Sequence, residues 1–286
     1  MSRLRARQVL GGLWCLDGLL QLQPGMFRMA MLQAVLQPVT VGEPHWLDVV
    51  LGLVQGVLAR HLVLGNLGIA GVQLGVGAAL LSWPDRLWPG WVSLTWAALL
   101  WVGGQGLGGL FSGQASLLAG APGSAVLYAL LTWAAWPGDG NARRRALGGA
   151  LGALWALGAA LQLQPVFFGA SGLGGLITGN VAGQPPALAG LLGAAGSAAQ
   201  HWAAPLDAVL ALGMAASAAG IWAGGWARRP ALVLSLVLAA LAWVFAQGVG
   251  MLASGMATDP NSAPLLAALA LYAWDGAEEG AAAEAG

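Results

Sequence analysis

The sequence contains no lysine, and only 8% of its 286 residues are charged. A soluble domain carries about 25% charged residues, so this chain has too few charges to cover a surface that faces water. The absence of lysine also excludes catalysis through a lysine Schiff base. The net charge is zero, which gives no indication of a nucleic-acid partner.

Cysteine is nearly absent as well, since the single cysteine is Cys15, within an apolar segment. One cysteine excludes an intramolecular disulfide and any zinc or iron–sulfur site built from cysteines. We interpret Cys15 as a small apolar residue in a helix.

Apolar residues dominate what remains: 58% of the chain is hydrophobic, and the mean hydropathy is +0.74. The 15 tryptophans outnumber the 2 tyrosines and 5 phenylalanines, and tryptophan favours the interface between membrane and water. Both features indicate an integral membrane protein, whose first partner is the lipid bilayer.

Two segments of the sequence occur twice. Residues 101–113 (WVGGQGLGGLFSG) match 243–255 (WVFAQGVGMLASG), and residues 13–24 (LWCLDGLLQLQP) match 154–165 (LWALGAALQLQP). The two offsets are nearly equal, at 142 and 141 residues, which indicates a tandem duplication. Because the first segment recurs deep in the chain, we expect its N-terminal copy to be a retained membrane helix and not a signal peptide.

The hydropathy pattern predicts an all-α fold, a polytopic membrane bundle of about eight transmembrane helices in two parallel four-helix repeats. The predicted spans lie at about residues 8–23, 62–82, 91–108, 122–136, 146–164, 202–225, 231–247 and 264–274. An amphipathic helix at 45–60 is expected on the membrane surface or as a cap over the bundle, with 187–200 in its place in the second half.

This pattern divides the chain into four parts. They are a first membrane repeat (1–137), a basic cytoplasmic junction (138–145), a second repeat (146–274) and an acidic, disordered tail (275–286).

The distribution of arginine predicts the orientation. With the N-terminus inside, nine of the eleven arginines fall in inside segments, as the positive-inside rule requires. We therefore expect a multi-pass protein of the bacterial cytoplasmic (inner) membrane with a cytoplasmic N-terminus. In this topology the repeated glutamines and the three histidines collect towards the outer side.

Seven polar side chains are the candidate ligand-binding residues: Asp17, Gln21, Gln105, Gln162, Gln247, His61 and His201. Polar groups facing lipid are costly, so we expect them to point into the bundle. The glutamines either hold helices together or contact a ligand. Asp17, near mid-depth of the first helix, serves either in proton or ligand binding or as a structural hydrogen-bonding group. The sequence identifies no catalytic residue. The histidine spacing shows no tight metal-ligand signature, and metal binding, hydrogen bonding to a quinol and an interfacial position without a special role all stay open for His61 and His201.

Helical spacing also predicts shared faces. Trp14, Asp17 and Gln21 fall on one face of the first helix. The spacing from Trp101 through Gln105 and Gly108 to Ser112 predicts a single helical face there too, repeated from 243 to 254.

Two motifs in the first half carry a resemblance. One is the glycine run that follows Asn66-Leu67, and the other is the GQGLGGLFSG segment followed by the GAPG turn at 120–123. With four helices in each half and a short first helix that ends in a proline turn, the chain resembles a duplicated form of the DoxX/DoxD-like bacterial membrane family. In the second half, Asp259-Pro260-Asn261 replaces the GAPG turn. The resemblance implies accessory roles in quinone-linked sulfur oxidation or redox-stress complexes, and it transfers no catalytic residue.

Together these features predict an integral membrane subunit with an outward-facing polar pocket between two repeats. It would handle a quinone or another small lipophilic molecule in a redox-linked, electron-transfer complex, with other membrane redox subunits as partners. The sequence identifies no cofactor beyond this quinone hypothesis and leaves open whether the protein is an enzyme. Two alternatives stay open, a small-solute transporter or channel and a purely structural membrane subunit.

Overall fold

The computed structural model describes the backbone of residues 1–284 and the side chains of residues 1–274. Every regular element in this part of the chain is helical, as predicted. The acidic tail predicted for residues 275–286 lies outside the residues whose side chains are described.

The first half contains five α-helices: α1 (Arg3–Leu20), α2 (His45–Arg60), α3 (Leu62–Ser82), α4 (Trp88–Gly103) and α5 (Ser124–Ala134). The second half contains six: α6 (Gly140–Gln162), α7 (Leu173–Gly179), α8 (Pro186–His201), α9 (Ala203–Ala223), α10 (Gly225–Leu241) and α11 (Ser262–Glu284). Short 3-10 and π turns connect them.

Side-chain caps set the first residue of two helices. The Ser2 hydroxyl accepts a hydrogen bond from the backbone of Arg5 at 3.3 Å, so α1 begins earlier than the sequence predicted. The Asp139 carboxylate caps α6 in the same way. The backbone N–H groups of Ala142 and Asn141 hold the pKa of Asp139 below its usual range, because they stabilise the charged form.

Three helices in the described part of the chain are long and apolar enough to cross a membrane. They are α3, α9 and the stretch Gly225–Ala246, which joins α10 to a π turn. Two shorter apolar helices are α5 and the Ser262–Trp274 part of α11. The fold is therefore all-helical with three candidate membrane spans, and the eight predicted spans stay a prediction.

Small residues bring neighbouring helices close together. α1 packs on α3, and α6 packs on α9. A Cβ atom at Gly77 of α3 would lie 2.7 Å from the Gly11 carbonyl oxygen and 2.8 Å from the Cys15 nitrogen of α1. Glycine is thus required at position 77, as is typical of closely packed membrane helices.

A buried tryptophan ties the first helix of each half to a later one. The Trp14 indole donates to the Ser93 hydroxyl at 2.9 Å. The Trp155 indole donates to the Ser235 hydroxyl at 2.6 Å. The tryptophans are 0% and 1% exposed, so each bond satisfies a donor that has no access to water.

The single helical face predicted from Trp101 to Ser112 is wrong. α4 ends at Gly103, and in the turn that follows Leu107 has φ 55° and Gly108 has φ 70°. An α-helix cannot continue through residues in the left-handed region. The second half departs in the same way, with Val249 at φ 56°.

Candidate functional site

A cavity of about 530 Å³ lies in the first half. Parts of α1 to α5 surround it, together with the loop that precedes α11. Apolar side chains from α2, α3, α4 and the segment between α1 and α2 form most of its wall. The polar side chains on the wall are Asp17, Gln21, Asn66, Gln73, Gln105, Ser124, Tyr128, Thr258 and Asp259, with the indoles of Trp14 and Trp96.

Packed aromatic rings support the cavity. The rings of Trp14 and Tyr128 are tilted by 32°, with centroids 4.2 Å apart. The Trp14 indole bonds to Ser93, whose hydroxyl lies 2.8 Å from that of Thr132. Thr132 in turn donates to the Tyr128 carbonyl at 2.8 Å. This chain of hydrogen bonds fixes the positions of α1, α4 and α5 around the cavity.

Three acceptor atoms on the wall are buried without a partner. Asp17 Oδ1, Asn66 Oδ1 and Gln73 Oε1 have no hydrogen-bond partner among the described residues. The orientation of Asn66 is fixed because its amide nitrogen donates to the Gln21 carbonyl at 2.6 Å. A buried acceptor without a partner costs about 1–3 kcal/mol, so each of these groups calls for a functional explanation.

The wall also contains two buried hydrogen-bond donors. Trp96 Nε1 is buried and forms no hydrogen bond within the described part of the chain, and Tyr128 Oη is buried within hydrogen-bonding reach of the Asp17 carboxylate. The Tyr128 hydroxyl lies close enough to interact electrostatically with Asp17. Buried donors and acceptors therefore both belong to residues that line the cavity.

Asp259 reaches this first-half cavity from the second half. Its Oδ1 accepts from the Asn261 backbone at 2.6 Å, and its Oδ2 accepts from the Ser124 hydroxyl at 3.2 Å. Asp259 lies close enough to Asp17 for the two carboxyl groups to interact electrostatically. None of the described side chains that line the cavity is basic, so the described wall supplies no positive charge beside these acids.

The two helix-end glutamines have equivalent bonds but different surroundings. The Gln105 amide donates to Ser124 Oγ at 2.7 Å, and its oxygen accepts from Ala125 N at 3.1 Å. Gln247 bonds to Ser262 Oγ and Ala263 N at 2.9 and 3.1 Å. Gln105 lines the cavity, and Gln247 does not.

Gln162 is buried away from the cavity, and its amide is fully used. Its nitrogen donates to Asp207 Oδ1 at 2.6 Å, and its oxygen accepts from the Ser116 hydroxyl at 2.7 Å. These bonds tie α6 to α9 and to the loop before α5. They favour helix packing, and not ligand contact, for this residue.

The two predicted histidines lie apart from the cavity. His61 and His201 are exposed, and the His201 ring stacks edge-on against Trp202 with centroids 5.2 Å apart. Within residues 1–274, no group of three or more His, Cys, Asp or Glu side chains could hold a metal ion. Of the seven predicted residues, the structure brings together Asp17, Gln21 and Gln105.

Sequence analysis missed six polar residues on the wall: Asn66, Gln73, Ser124, Tyr128, Thr258 and Asp259. Asn66 and Gln73 are seven residues apart on α3, a spacing that places them on one helical face and could have identified them. Tyr128 stands out as one of two tyrosines in the chain. Asp259 could not be found this way, because its contact joins distant parts of the sequence.

At the matched place in the second half, apolar side chains occupy the space. Gly158 corresponds to Asp17, and Met214 corresponds to Gln73, both at an offset of 141 residues. A Cβ atom at Gly158 would lie 2.6 Å from Leu117 Cδ2 and 2.8 Å from Met214 Sδ. Asp17 and Gln73, which line the first-half cavity, thus have no polar counterparts in the second half.

Comparisons with protein-family models, with curated proteins and with solved structures found no match.

Proposed function

We propose that this chain is an integral membrane protein that binds a small amphiphilic molecule in its first-half cavity. One observation carries the proposal: an otherwise apolar cavity holds the unpartnered oxygens of Asp17, Asn66 and Gln73. Ligand pockets typically combine apolar walls with a few polar groups that orient the ligand. If the protein were a purely structural subunit, these buried acceptors would have no hydrogen-bond partner.

The membrane topology is part of the same proposal. Eight spans in two parallel repeats would add the remaining apolar helices to the three candidates. Support comes from the equivalent packing of α1 on α3 and of α6 on α9, and from the recurring Trp–Ser hydrogen bonds. The arginine distribution supports a cytoplasmic N-terminus, which directs the cavity to the outer side of a bacterial cytoplasmic membrane.

The rim of the cavity supports entry from the bilayer. Leu53 and Val57 of α2 are 67% and 59% exposed, and Leu99 of α4 is 59% exposed. All three also line the cavity. An apolar opening between two helices suits a ligand that reaches the site through lipid.

A quinone is the ligand that the sequence predicts, and the cavity offers suitable groups. The unpartnered Trp96 indole would donate to a quinone oxygen, and Asp17, beside Tyr128, would accept from a quinol hydroxyl. The DoxX-like resemblance adds the hypothesis of a redox-linked complex. Its partner subunit would exchange electrons with the bound quinone.

A cavity-filling variant tests the binding proposal. Ile69→Trp places a large ring in the cavity, whereas Leu67→Trp changes an exposed position on the same helix. The protein is purified from native membranes, and its extracted lipophilic molecules are identified by mass spectrometry. We expect one class of molecule to accompany the wild type and Leu67→Trp and to be lost from Ile69→Trp. The same extract from all three proteins would refute the proposal.

A transporter is the second candidate, favoured by Asp17. An acid that is 1% exposed in the apolar C-terminal part of α1 is typical of proton relays in carriers. Uptake of a solute into proteoliposomes driven by a proton gradient, and lost in Asp17→Asn, would favour transport. Binding without uptake would favour a subunit that holds its ligand.

A further inference from the structure

The hydrogen-bonding balance of the first-half cavity indicates what its ligand must supply. Three buried acceptors, Asp17 Oδ1, Asn66 Oδ1 and Gln73 Oε1, stand against two buried donors, Tyr128 Oη and Trp96 Nε1, and the Tyr128 hydroxyl already lies within reach of Asp17. The acceptors are the more numerous. A ligand that satisfies them must therefore carry hydrogen-bond donors.

The charge balance leads to the same conclusion. Asp17 and Asp259 both line the cavity, and no described lining residue is basic. A buried carboxylate without a counter-charge is strongly unfavourable. A cation in the cavity would offset both acids and relieve the repulsion between them.

The shape and lining of the cavity favour an organic cation over a metal ion. The described residues offer no cluster of three metal-ligating side chains. About 530 Å³ of mostly apolar space far exceeds what a bare ion fills. The rings of Trp14, Trp96 and Tyr128 also line the cavity, and aromatic faces attract ammonium groups.

We propose that the first-half cavity binds an amphiphilic amine. Its protonated nitrogen donates to Asp17 and Asn66, Asp259 supplies the second negative charge, and the apolar body lies among the side chains of α2 and α4. This inference rests on the proposed binding function and narrows the class of ligand.

Binding of matched probes to the purified full-length protein tests the inference. The probes are phenylbutylamine, which is an ammonium ion at pH 7, and its neutral counterpart phenylbutanol, with a short-chain quinone as a third ligand. Isothermal titration gives each Kd for the wild type, Asp17→Asn and Asp259→Asn. Asp207→Asn is the matched control, because Asp207 is a buried acid outside the cavity and its match, position 66, is an asparagine.

We expect the amine to bind at least about tenfold more tightly than the alcohol, because truncating one partner of a buried charge pair weakens binding by that order or more. Asp17→Asn should weaken binding of the amine much more than binding of the alcohol, and so remove most of this preference. Asp207→Asn should bind as the wild type does. The wild-type ratio of amine to alcohol is informative even if an acid variant fails to fold.

Two results would overturn the inference. In the first, the alcohol or the quinone binds as tightly as the amine, and Ile69→Trp abolishes that binding. The cavity then binds neutral ligands, so the proposed binding function stands and the inference of an amine ligand is wrong. In the second, no probe binds the wild type, and both the proposed binding function and the amine inference are then wrong.

Discussion

Ser124, the first residue of α5, donates a hydrogen bond to Asp259, in the loop before α11, over 3.2 Å. In a second contact between the halves the donor belongs to the second half: the Gln247 amide donates to the Leu118 carbonyl at 2.9 Å. Ser116 likewise bonds to Gln162 of the second half. Each half therefore completes buried polar contacts of the other, and the cavity of the first half depends on the second half.

We predict that Asp259→Ala lowers the free energy of unfolding by about 1–3 kcal/mol, because it leaves buried donors without their acceptor. Thermal unfolding followed by tryptophan fluorescence measures this change. Asp85→Ala, which removes an exposed loop acid, is the control and should unfold as the wild type does. An unchanged midpoint for Asp259→Ala would show that the contact between the halves contributes little.

The sequence predicted the helices best where local signals mark both ends. The predicted ranges 45–60 and 62–82 agree with α2 and α3, because Pro44 precedes the first and Trp83-Pro84 follows the second. The end of α4 was placed five residues too late, at 108 instead of 103, whereas the predicted end at 247 agrees with the helical stretch that continues α10 to Ala246. The turn that follows α4 contains Leu107 in the left-handed region, and its side chain gives no warning of that conformation.

The candidate site was predicted only in part, for a physical reason. Asp17, Gln21 and Gln105 were identified because polar residues in apolar helices stand out. Asp259 joins them through tertiary packing between segments far apart in the chain, which no local pattern encodes. Gln162 has a sequence context like that of Gln21, but its amide bonds to Asp207 and Ser116.

The matched glutamines provide a second prediction. Gln162→Leu removes two buried hydrogen bonds and should lower the free energy of unfolding by about 1–3 kcal/mol. Gln21→Leu keeps the Gln21 carbonyl that accepts from Asn66, so we expect a loss below about 1 kcal/mol. Unfolding in increasing concentrations of a denaturing detergent compares the free energy of unfolding of the two variants. Equal destabilisation would contradict a packing role that is specific to Gln162.

The proposed orientation predicts which positions are reached from each side of the membrane. In a Cys15→Ala background, single cysteines replace Gln114, Ala253 and Asp85, all of which are exposed. An impermeant thiol reagent added to intact cells should label positions 114 and 253, and position 85 only after lysis. Labelling of 114 and 253 from opposite sides would exclude parallel repeats.

Gly158, which occupies the position matched to Asp17, provides the last prediction. A Cβ atom there would lie 2.6 Å from Leu117 Cδ2 and 2.8 Å from Met214 Sδ, so Gly158→Ala should destabilise the protein by about 1–3 kcal/mol through overpacking. Leu117→Ala removes the nearer side chain, and the double variant should be more stable than the sum of the two single changes predicts. Gly149→Ala, where a Cβ atom meets nothing within 4 Å, is the matched control on the same helix. Thermal unfolding of these variants measures the coupling. Additive effects would show that Leu117 does not fill the space beside Gly158. The absence of a matching cavity in the second half would then have another cause.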